Sequence, residues 1–175
     1  QIYVDAVEID EESCKIHKKY VDDKRCNCIC ADAVTFCGES GYDVVISSFA
    51  HDHIHYDRRY DFVKNIRRNL KTGGIYIMGG EILSYYVTED ERKKALYDYH
   101  CFIINKALKE RNFEVAQIEI NALKSGLDMK GDFKRHEEMF EEEMASSGLR
   151  LESKKKIGPL DIDNVGGVFV YVYRS

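Results

Sequence analysis

Apolar residues along this chain follow two spacings, one typical of buried strands and the other of amphipathic helices. Short apolar runs predict strands in four segments, IYVDAVEI, RCNCICAD, YDVVISSF and IYIMGGEIL. Apolar residues recur at helical spacing in the segments DEESCKIHKKYVDD and DRRYDFVKNIRRNL. Strands that alternate with helices through short turns predict a doubly wound α/β fold with a mostly parallel sheet.

The character of the chain changes after Leu83. Two further helices are predicted, in TEDERKKALYDYHCFIINKALKER and EVAQIEINALKSG, and they suggest a helical lid inserted at residues 84–135. The segment DFKRHEEMFEEEMASSGL then predicts another amphipathic helix. The closing segments RLESKKKIGPL and GGVFVYVYRS suit an antiparallel strand pair. We therefore expect one domain over residues 1–175, with the lid within it.

Composition and charge narrow the classes of function. The chain has 175 residues, of which 44% are hydrophobic and 33% charged, as expected for one globular domain with a sizeable core. Its net charge of −5 argues against nucleic acid or an anionic membrane as the partner. No apolar run approaches the roughly 20 residues that span a bilayer. We expect a cytoplasmic protein.

Cysteines and histidines are the first candidates for metal chemistry. Cys26, Cys28 and Cys30 alternate along a predicted strand, where free cysteines on one face behave as small apolar core residues. Zinc sites usually show paired C-x-x-C spacings, so we predict reduced core cysteines. The alternating histidines His51, His53 and His55 leave a metal-dependent hydrolase open as an alternative. In such enzymes an Asp-His pair normally follows H-x-H, and here Ile54 and His55 follow instead.

Several segments together resemble a known family. VEID after one strand, ADA after the next and YDVVISSFAHDHI after the third are followed by FVKNIRRNLKTGGIYI and the terminal GGVFVYVYRS. In order and spacing they resemble the class I S-adenosylmethionine-dependent methyltransferases, from the second strand of that fold to the last. The predicted lid resembles the helical insertion of the family's small-molecule methyltransferases. The resemblance covers most of the chain.

The resemblance implies S-adenosyl-L-methionine as cofactor and assigns a role to individual residues. Glu8 matches the carboxylate that accepts hydrogen bonds from the ribose hydroxyls, and Ile9 would lie against the adenine. Asp32 would accept from the adenine amino group, with Ala33 leaving room at the ring edge. The methionine moiety and the transferring methyl group would be lined by Ser47, Ser48 and Phe49.

The implied reaction is in-line methyl transfer to a small-molecule acceptor, catalysed mainly by proximity and orientation. The resemblance places His53 in a loop beside the acceptor, where it could orient or deprotonate it. Four side chains on or before the lid could line the acceptor pocket: Tyr85, Tyr86, Tyr99 and His100. A non-catalytic α/β binding or interaction domain derived from this fold remains the alternative.

One feature of the family is absent from the sequence. None of the glycines forms the G-x-G of the loop that follows the family's first, central strand. We therefore expect a further strand and a glycine loop upstream in the parent polypeptide. In the chain alone, the gap would be closed by pairing of the family's second and fourth strands, or by a strand from another copy. The second arrangement would give a homodimer through exposed or exchanged strands.

Overall fold

The computed structural model describes residues 1–175 and contains five helices and seven strands. The helices are α1 (Glu11–Tyr20), α2 (Arg59–Asn69), α3 (Glu89–Lys109), α4 (Phe113–Leu127) and α5 (Glu137–Ser146). The strands are β1 (Val4–Glu8), β2 (Cys26–Cys30), β3 (Tyr42–Ser48), β4 (Leu70–Leu83), β5 (Arg135–His136), β6 (Arg150–Gly158) and β7 (Gly167–Arg174). Short 3-10 turns occupy His51–His53 and Tyr56–Arg58. The predicted order of strands and helices through β4 is confirmed.

The strands form two separate sheets. β1 pairs in parallel with β2, and the larger sheet has the order β3-β4-β7-β6. β3 and β4 are parallel, whereas β7 runs antiparallel to both of its neighbours. This mixed α/β architecture, parallel at first and antiparallel at the C-terminal end, confirms the predicted fold class.

The expected pairing of β1 with β3 is not present. No backbone hydrogen bond joins the two strands, and each has one edge without a neighbouring strand. The two sheets are linked instead by a side chain, because the Tyr42 hydroxyl donates to Asp5 Oδ2 over 2.6 Å. The prediction that rearranged pairing closes this gap was wrong for the structure described here.

A single apolar core lies against the larger sheet, on the side covered by α2 and α5. It contains thirteen buried residues, among them Phe62 and Val63 of α2, Phe140 of α5 and Tyr171 of β7. A smaller cluster packs α3 against the end of β4, through side chains such as Leu83 and Leu96. α3 and α4 pack against each other. The helical pair thus has a core of its own beside the carboxyl end of β4.

The helix predicted from Asp132 begins five residues later, at Glu137. His136 caps α5, and Arg135 and His136 form the short strand β5, which pairs in parallel with the end of β4. All five residues from Asp132 to His136 are buried, although most are charged or polar. An extended conformation lets these side chains reach partners on β4 and α5, which a first helical turn would not do. We call residues 128–136 the return segment.

The cysteines only partly match the prediction of a buried row. Cys28 is buried and Cys26 half-buried, but Cys30 is exposed because β2 ends at this residue. Cys30 is therefore a surface thiol rather than a core residue. All six cysteines are free in the structure.

Candidate active site

The side chains expected to bind the ribose lie at the carboxyl end of β1. The turn is built by Asp10, whose side chain caps α1 by accepting from the Ser13 amide over 2.6 Å. Glu8 is half-buried, and its Oε1 accepts from the Asp10 amide over 2.9 Å. Its second oxygen remains available to a ligand donor. Ile9 is 66% exposed, an unusual position for an apolar side chain unless a ligand or another segment covers it.

The carboxylate of Asp32 is already engaged within the chain. Oδ1 accepts from the Val34 amide over 2.9 Å, and Oδ2 accepts from Arg58 Nη2 over 2.6 Å. Burial alone would raise the pKa of Asp32, but these two donors outweigh it and hold the pKa below its ordinary value. Because each carboxylate oxygen can accept more than one bond, an amino group can still be added. Ala33 beside it is exposed.

At the end of β3 the three predicted residues face different surroundings. Ser47 Oγ lies 2.6 Å from the hydroxyl of Tyr76, a fully buried core residue, so this side chain points towards the core. Ser48 and Phe49 are exposed. Phe49 has a φ of 49°, in the left-handed region that is rare for a bulky residue. Such strain concentrates where a backbone is held for function, which makes Phe49 a site candidate.

The three histidines of the following loop bind three different partners. His51 is buried and donates from Nε2 to Glu143 over 2.9 Å, and His55 accepts from the Asp57 amide through Nδ1. His53 is exposed and donates from Nδ1 to the Gly131 carbonyl over 2.5 Å. The chain contains no group of three or more His, Cys, Asp or Glu side chains arranged to hold a metal ion. The H-x-H-x-H pattern therefore does not converge on one point.

Only one of the four residues expected to line the acceptor pocket is exposed. Tyr85 is 62% exposed, and its ring lies 4.8 Å from that of His136. The other three are buried and hydrogen-bonded inside the chain. Tyr86 donates to the Lys134 carbonyl over 2.9 Å, and Tyr99 donates to Glu81 Oε1 over 2.8 Å.

His100 belongs to the contact between α3 and α4 rather than to an open pocket. Its Nδ1 donates to Glu119 Oε2 over 2.8 Å, and its side chain is fully buried. Its other nitrogen, Nε2, is buried without a partner.

Sequence reasoning missed a charged group beside these residues. Lys134 of the return segment is 2% exposed and contacts Asp132 and, over 3.1 Å, Glu81 at the end of β4. The neighbouring Asp52 is also buried, and burial raises the pKa of its carboxyl. The sequence contains one indication of this charged group, because Glu81 interrupts the otherwise apolar run IYIMGGEIL. Asp132 and Lys134 fall within the segment DFKRHEEMFEEEMASSGL, for which the sequence predicts a helix.

These residues fit the cofactor in part. A carboxylate with a free oxygen and an exposed apolar side chain stand together at Glu8 and Ile9, as the vicinal hydroxyls of a ribose and an adenine ring require. A surface cleft of about 410 Å³ lies elsewhere, between α5 and the strands β6 and β7. A second cleft of about 380 Å³ borders Arg58, the partner of Asp32. No helix of the protein has the length and apolarity needed to cross a membrane.

Comparison with protein families gives one match. The family described as "Methyltransferase domain" matches residues 2–78, which include β1 to β3, α2 and the first part of β4. No curated protein matches the sequence. The matched residues contain all of the predicted cofactor side chains.

Solved structures of similar fold extend over the whole chain. A putative methyltransferase from Bacillus halodurans matches with a TM-score of 0.65 at 11% identity, over 98% of this chain and 82% of that one. The complex of the Haloferax volcanii Trm112 methyltransferase activator with a putative methyltransferase matches with a TM-score of 0.62 at 15% identity. The match covers 98% of this chain and 71% of that one. The 1,6-didemethyltoxoflavin-N1-methyltransferase of Burkholderia thailandensis, bound to 1,6-didemethyltoxoflavin and S-adenosylhomocysteine, gives 0.58 at 11% identity. It is matched over 98% of this chain and 60% of its own.

The family match covers residues 2–78, less than half of the chain, and the solved methyltransferases share its fold over nearly all of it. Both findings agree with the class I S-adenosylmethionine-dependent methyltransferases that the sequence resembles. The identities to solved structures are low, so those similarities describe the fold and leave the acceptor open. S-adenosyl-L-methionine is the cofactor of this class, in agreement with the resemblance noted in the sequence.

Proposed function

We propose that this chain transfers a methyl group from S-adenosylmethionine to a small-molecule acceptor. The observation that carries the proposal is that Glu8, Ser48 and the turn at His51–His53 all stand at or just after the carboxyl ends of strands that pair in parallel, Glu8 on β1 and the others on or after β3. Ligands of open α/β sheets bind at this edge. The acidic net charge of −5 supports a small acceptor rather than a nucleic acid.

The cofactor would be held by side chains on the first three strands. Glu8 accepts from the ribose hydroxyls, and Ile9 covers one face of the adenine. Asp32 accepts from the adenine amino group while keeping its bond to Arg58, which keeps the loop after β2 in place. Ser48 and the strained Phe49 line the methyl group, and Ser47 supports them from the core side through Tyr76.

S-adenosylmethionine carries its methyl group on a positively charged sulfur. The thioether that leaves when the methyl group is transferred needs no protonation. The protein's task is then to align the acceptor, exclude water and remove a proton where the acceptor has one to lose. His53 suits the last role because its Nδ1 proton is committed to Gly131. Its Nε2 consequently carries the lone pair and faces outwards.

The helical pair and the return segment would act as the lid over the acceptor. The return segment is already attached to the turn, since the Phe133 amide donates to the Asp52 carbonyl over 2.7 Å. Tyr85 is placed to contact the acceptor directly. Tyr86, Tyr99 and His100 would shape the pocket from behind through their internal hydrogen bonds.

A second candidate function is binding without catalysis. It is favoured by the unpaired edges of β1 and β3, which leave the centre of the cofactor-binding sheet open. The engagement of Asp32 by Arg58 points the same way.

Isothermal titration with S-adenosylmethionine and S-adenosylhomocysteine, combined with a radiolabelled methyl-transfer assay, separates the two functions. Methyl transfer to any small acceptor supports the enzyme. Cofactor binding without transfer to any acceptor supports the binding domain. The absence of binding to either compound would contradict both.

A further inference from the structure

Three carboxylates and one lysine meet beside the turn at His51–His53. Lys134 contacts Asp132 and lies 3.1 Å from Glu81 Oε2, while Glu81 Oε1 accepts from Tyr99. Asp52 lies beside them, because its carbonyl accepts from the amide of Phe133, the residue between Asp132 and Lys134, over 2.7 Å. The four residues come from three parts of the fold, β4, the return segment and the turn after β3, and Tyr99 adds a contact to α3. We call Asp52, Glu81, Asp132 and Lys134 the carboxylate cluster.

The cluster lies at the edge of the sheet where the methyl group is expected. Gly79 of β4 pairs with Ser48, the last residue of β3. Glu81 lies two residues further along β4 and so extends beyond the end of β3. The Phe49 amide donates to the Gly79 carbonyl over 2.7 Å, which fixes the start of the turn against the same part of β4.

Two of the carboxylates have unused hydrogen-bonding capacity. Asp52 is only 7% exposed, yet its carboxylate receives no hydrogen bond from another residue. Asp132 is 4% exposed, and its Oδ1 is buried without a partner. Buried acceptors without donors are costly, so a ligand that brings N–H or O–H groups would be stabilised here.

The charge of the cluster indicates which donor fits. Burial alone would lower the pKa of Lys134, but Glu81 and Asp132 outweigh it and keep the ammonium charged. One cation thus faces three carboxylates. The nearby Arg92 does not change this balance, because its guanidinium pairs with Glu89. An amino group, with its positive charge and several N–H donors, complements such a site.

We propose that the carboxylate cluster binds the amino group of the methyl acceptor and that Asp52 takes a proton from its ammonium form before transfer, which leaves to His53 the proton that the methylated nitrogen releases afterwards. This inference rests on the proposed function and adds the chemical class of the substrate. An N–H bond of the ammonium breaks, its electron pair stays on nitrogen and the proton moves to a carboxylate oxygen of Asp52. The neutral amine then has the lone pair that methyl transfer requires. Burial favours this step because a carboxyl with a raised pKa is a stronger base than an exposed one.

The first test compares acceptors with matched carbon skeletons. Pools of primary amines, alcohols and carboxylic acids are each incubated with the full chain and methyl-labelled S-adenosylmethionine. The same pools are examined by saturation-transfer NMR with the protein and S-adenosylhomocysteine. We expect label and NMR contacts in the amine pool. Label in the alcohol or acid pool, or none in any pool despite cofactor binding, would overturn the amine assignment. A failure of cofactor binding itself would point to the proposed function instead.

The second test uses variants of the cluster. With an amine found in the first test, Asp52→Asn should lower kcat by about 100-fold or more, with the cofactor Kd unchanged. Glu81→Gln keeps an oxygen for Tyr99 but removes a charge, so it should raise the amine Kd by about tenfold. Asp57→Asn is the control, since Asp57 is an exposed aspartate on the next turn and should not alter either value. Wild-type kcat in a folded Asp52→Asn protein would contradict the role of Asp52, and an unchanged amine Kd in Glu81→Gln would contradict the binding site.

Discussion

His51 and Glu143 form a buried pair that joins the turn after β3 to α5. Their side chains are 3% and 1% exposed, and the imidazole donates to the carboxylate over 2.9 Å. Arg135 reaches the same carboxylate over 3.2 Å through Nε and donates to the His51 carbonyl through Nη1. One carboxylate thus holds the turn and the return segment together.

The substitution Glu143→Gln should destabilise the protein strongly. It leaves the buried guanidinium of Arg135 without a counter-charge, and breaking a buried pair in this way costs about 3–5 kcal/mol. Glu142→Gln is the matched control, because Glu142 is its exposed neighbour on α5. Urea unfolding measures both differences. A loss below about 1 kcal/mol for Glu143→Gln would mean that this pair contributes little to the fold.

Stability should fall in mild acid because of His51. Burial lowers the pKa of its imidazole, so the unfolded chain binds a proton below about pH 6.5 that the folded chain does not. The stabilisation is therefore complete above that pH and is lost as the pH falls towards the folded-state pKa, by at most about 1.4 kcal/mol per pH unit. His51→Gln should reduce this slope while its amide still donates to Glu143, and the part that remains is expected from His136, whose pKa is also lowered by burial. Urea unfolding of both proteins between about pH 5 and 7.5 measures how the free energy of unfolding depends on pH. An equal pH dependence in the wild type and in His51→Gln would contradict the role of His51.

Much of the fold could be predicted because its signals are local. Apolar runs, the Asp10 cap and the Thr88 cap with Glu91 mark the beginnings of elements within a few residues of sequence. The helix predicted from Asp132 failed because its signals are not local. Lys134 is stabilised by Glu81, and Arg135 by Glu143 and two backbone carbonyls. The spacing of charges within the segment identifies neither Glu81 nor Glu143 as a partner, because both residues lie on other elements.

The candidate site divides in the same way. Residues at strand ends, such as Glu8 and Ser48, could be placed from sequence because a strand's end fixes their position on the sheet. The sequence does not show whether a side chain is free to bind a ligand. Ser47 is hydrogen-bonded to Tyr76, and Asp32 is hydrogen-bonded to Arg58. Asp52 was missed because its burial depends on the return segment, which is about eighty residues away along the chain.

The role of Glu8 predicts a selective loss of cofactor affinity. Glu8→Gln keeps the length of the side chain and an oxygen for the Asp10 amide but removes the charge that favours two ribose hydroxyls. Hydrogen bonds to charged groups contribute about 1.5–3 kcal/mol, so the Kd for S-adenosylmethionine should rise by about 10- to 100-fold. Glu12→Gln, on the exposed first turn of α1, is the control. Titration calorimetry decides, and equal Kd values for the two variants would exclude a ribose contact.

The thiols should divide into fast and slow groups. Cys30 and Cys37 are exposed and should react quickly with a chromogenic disulfide reagent. Cys14 and Cys28 are buried, and burial raises the pKa of Cys14 to about 12, so both should react only on unfolding. Cys30→Ser should remove one fast thiol and leave the slow group unchanged. A Cys30→Ser protein with the same fast amplitude as the wild type would contradict the exposed position of this residue.

The open edge of β3 should promote self-association. Ile46 is 67% exposed and Val44 is 45% exposed on a strand that lacks a neighbour on one side. Unpaired, apolar strand edges pair with other chains, and we propose that two copies associate here. Ile46→Lys places a charge in that contact and removes apolar burial worth about 1.5–3 kcal/mol, so the dimer Kd should rise by at least about tenfold. Val87→Lys alters an equally exposed apolar residue in the loop before α3 and should leave association unchanged. Sedimentation velocity across a range of concentrations measures both, and a wild-type chain that stays monomeric throughout would show that this edge is covered in some other way.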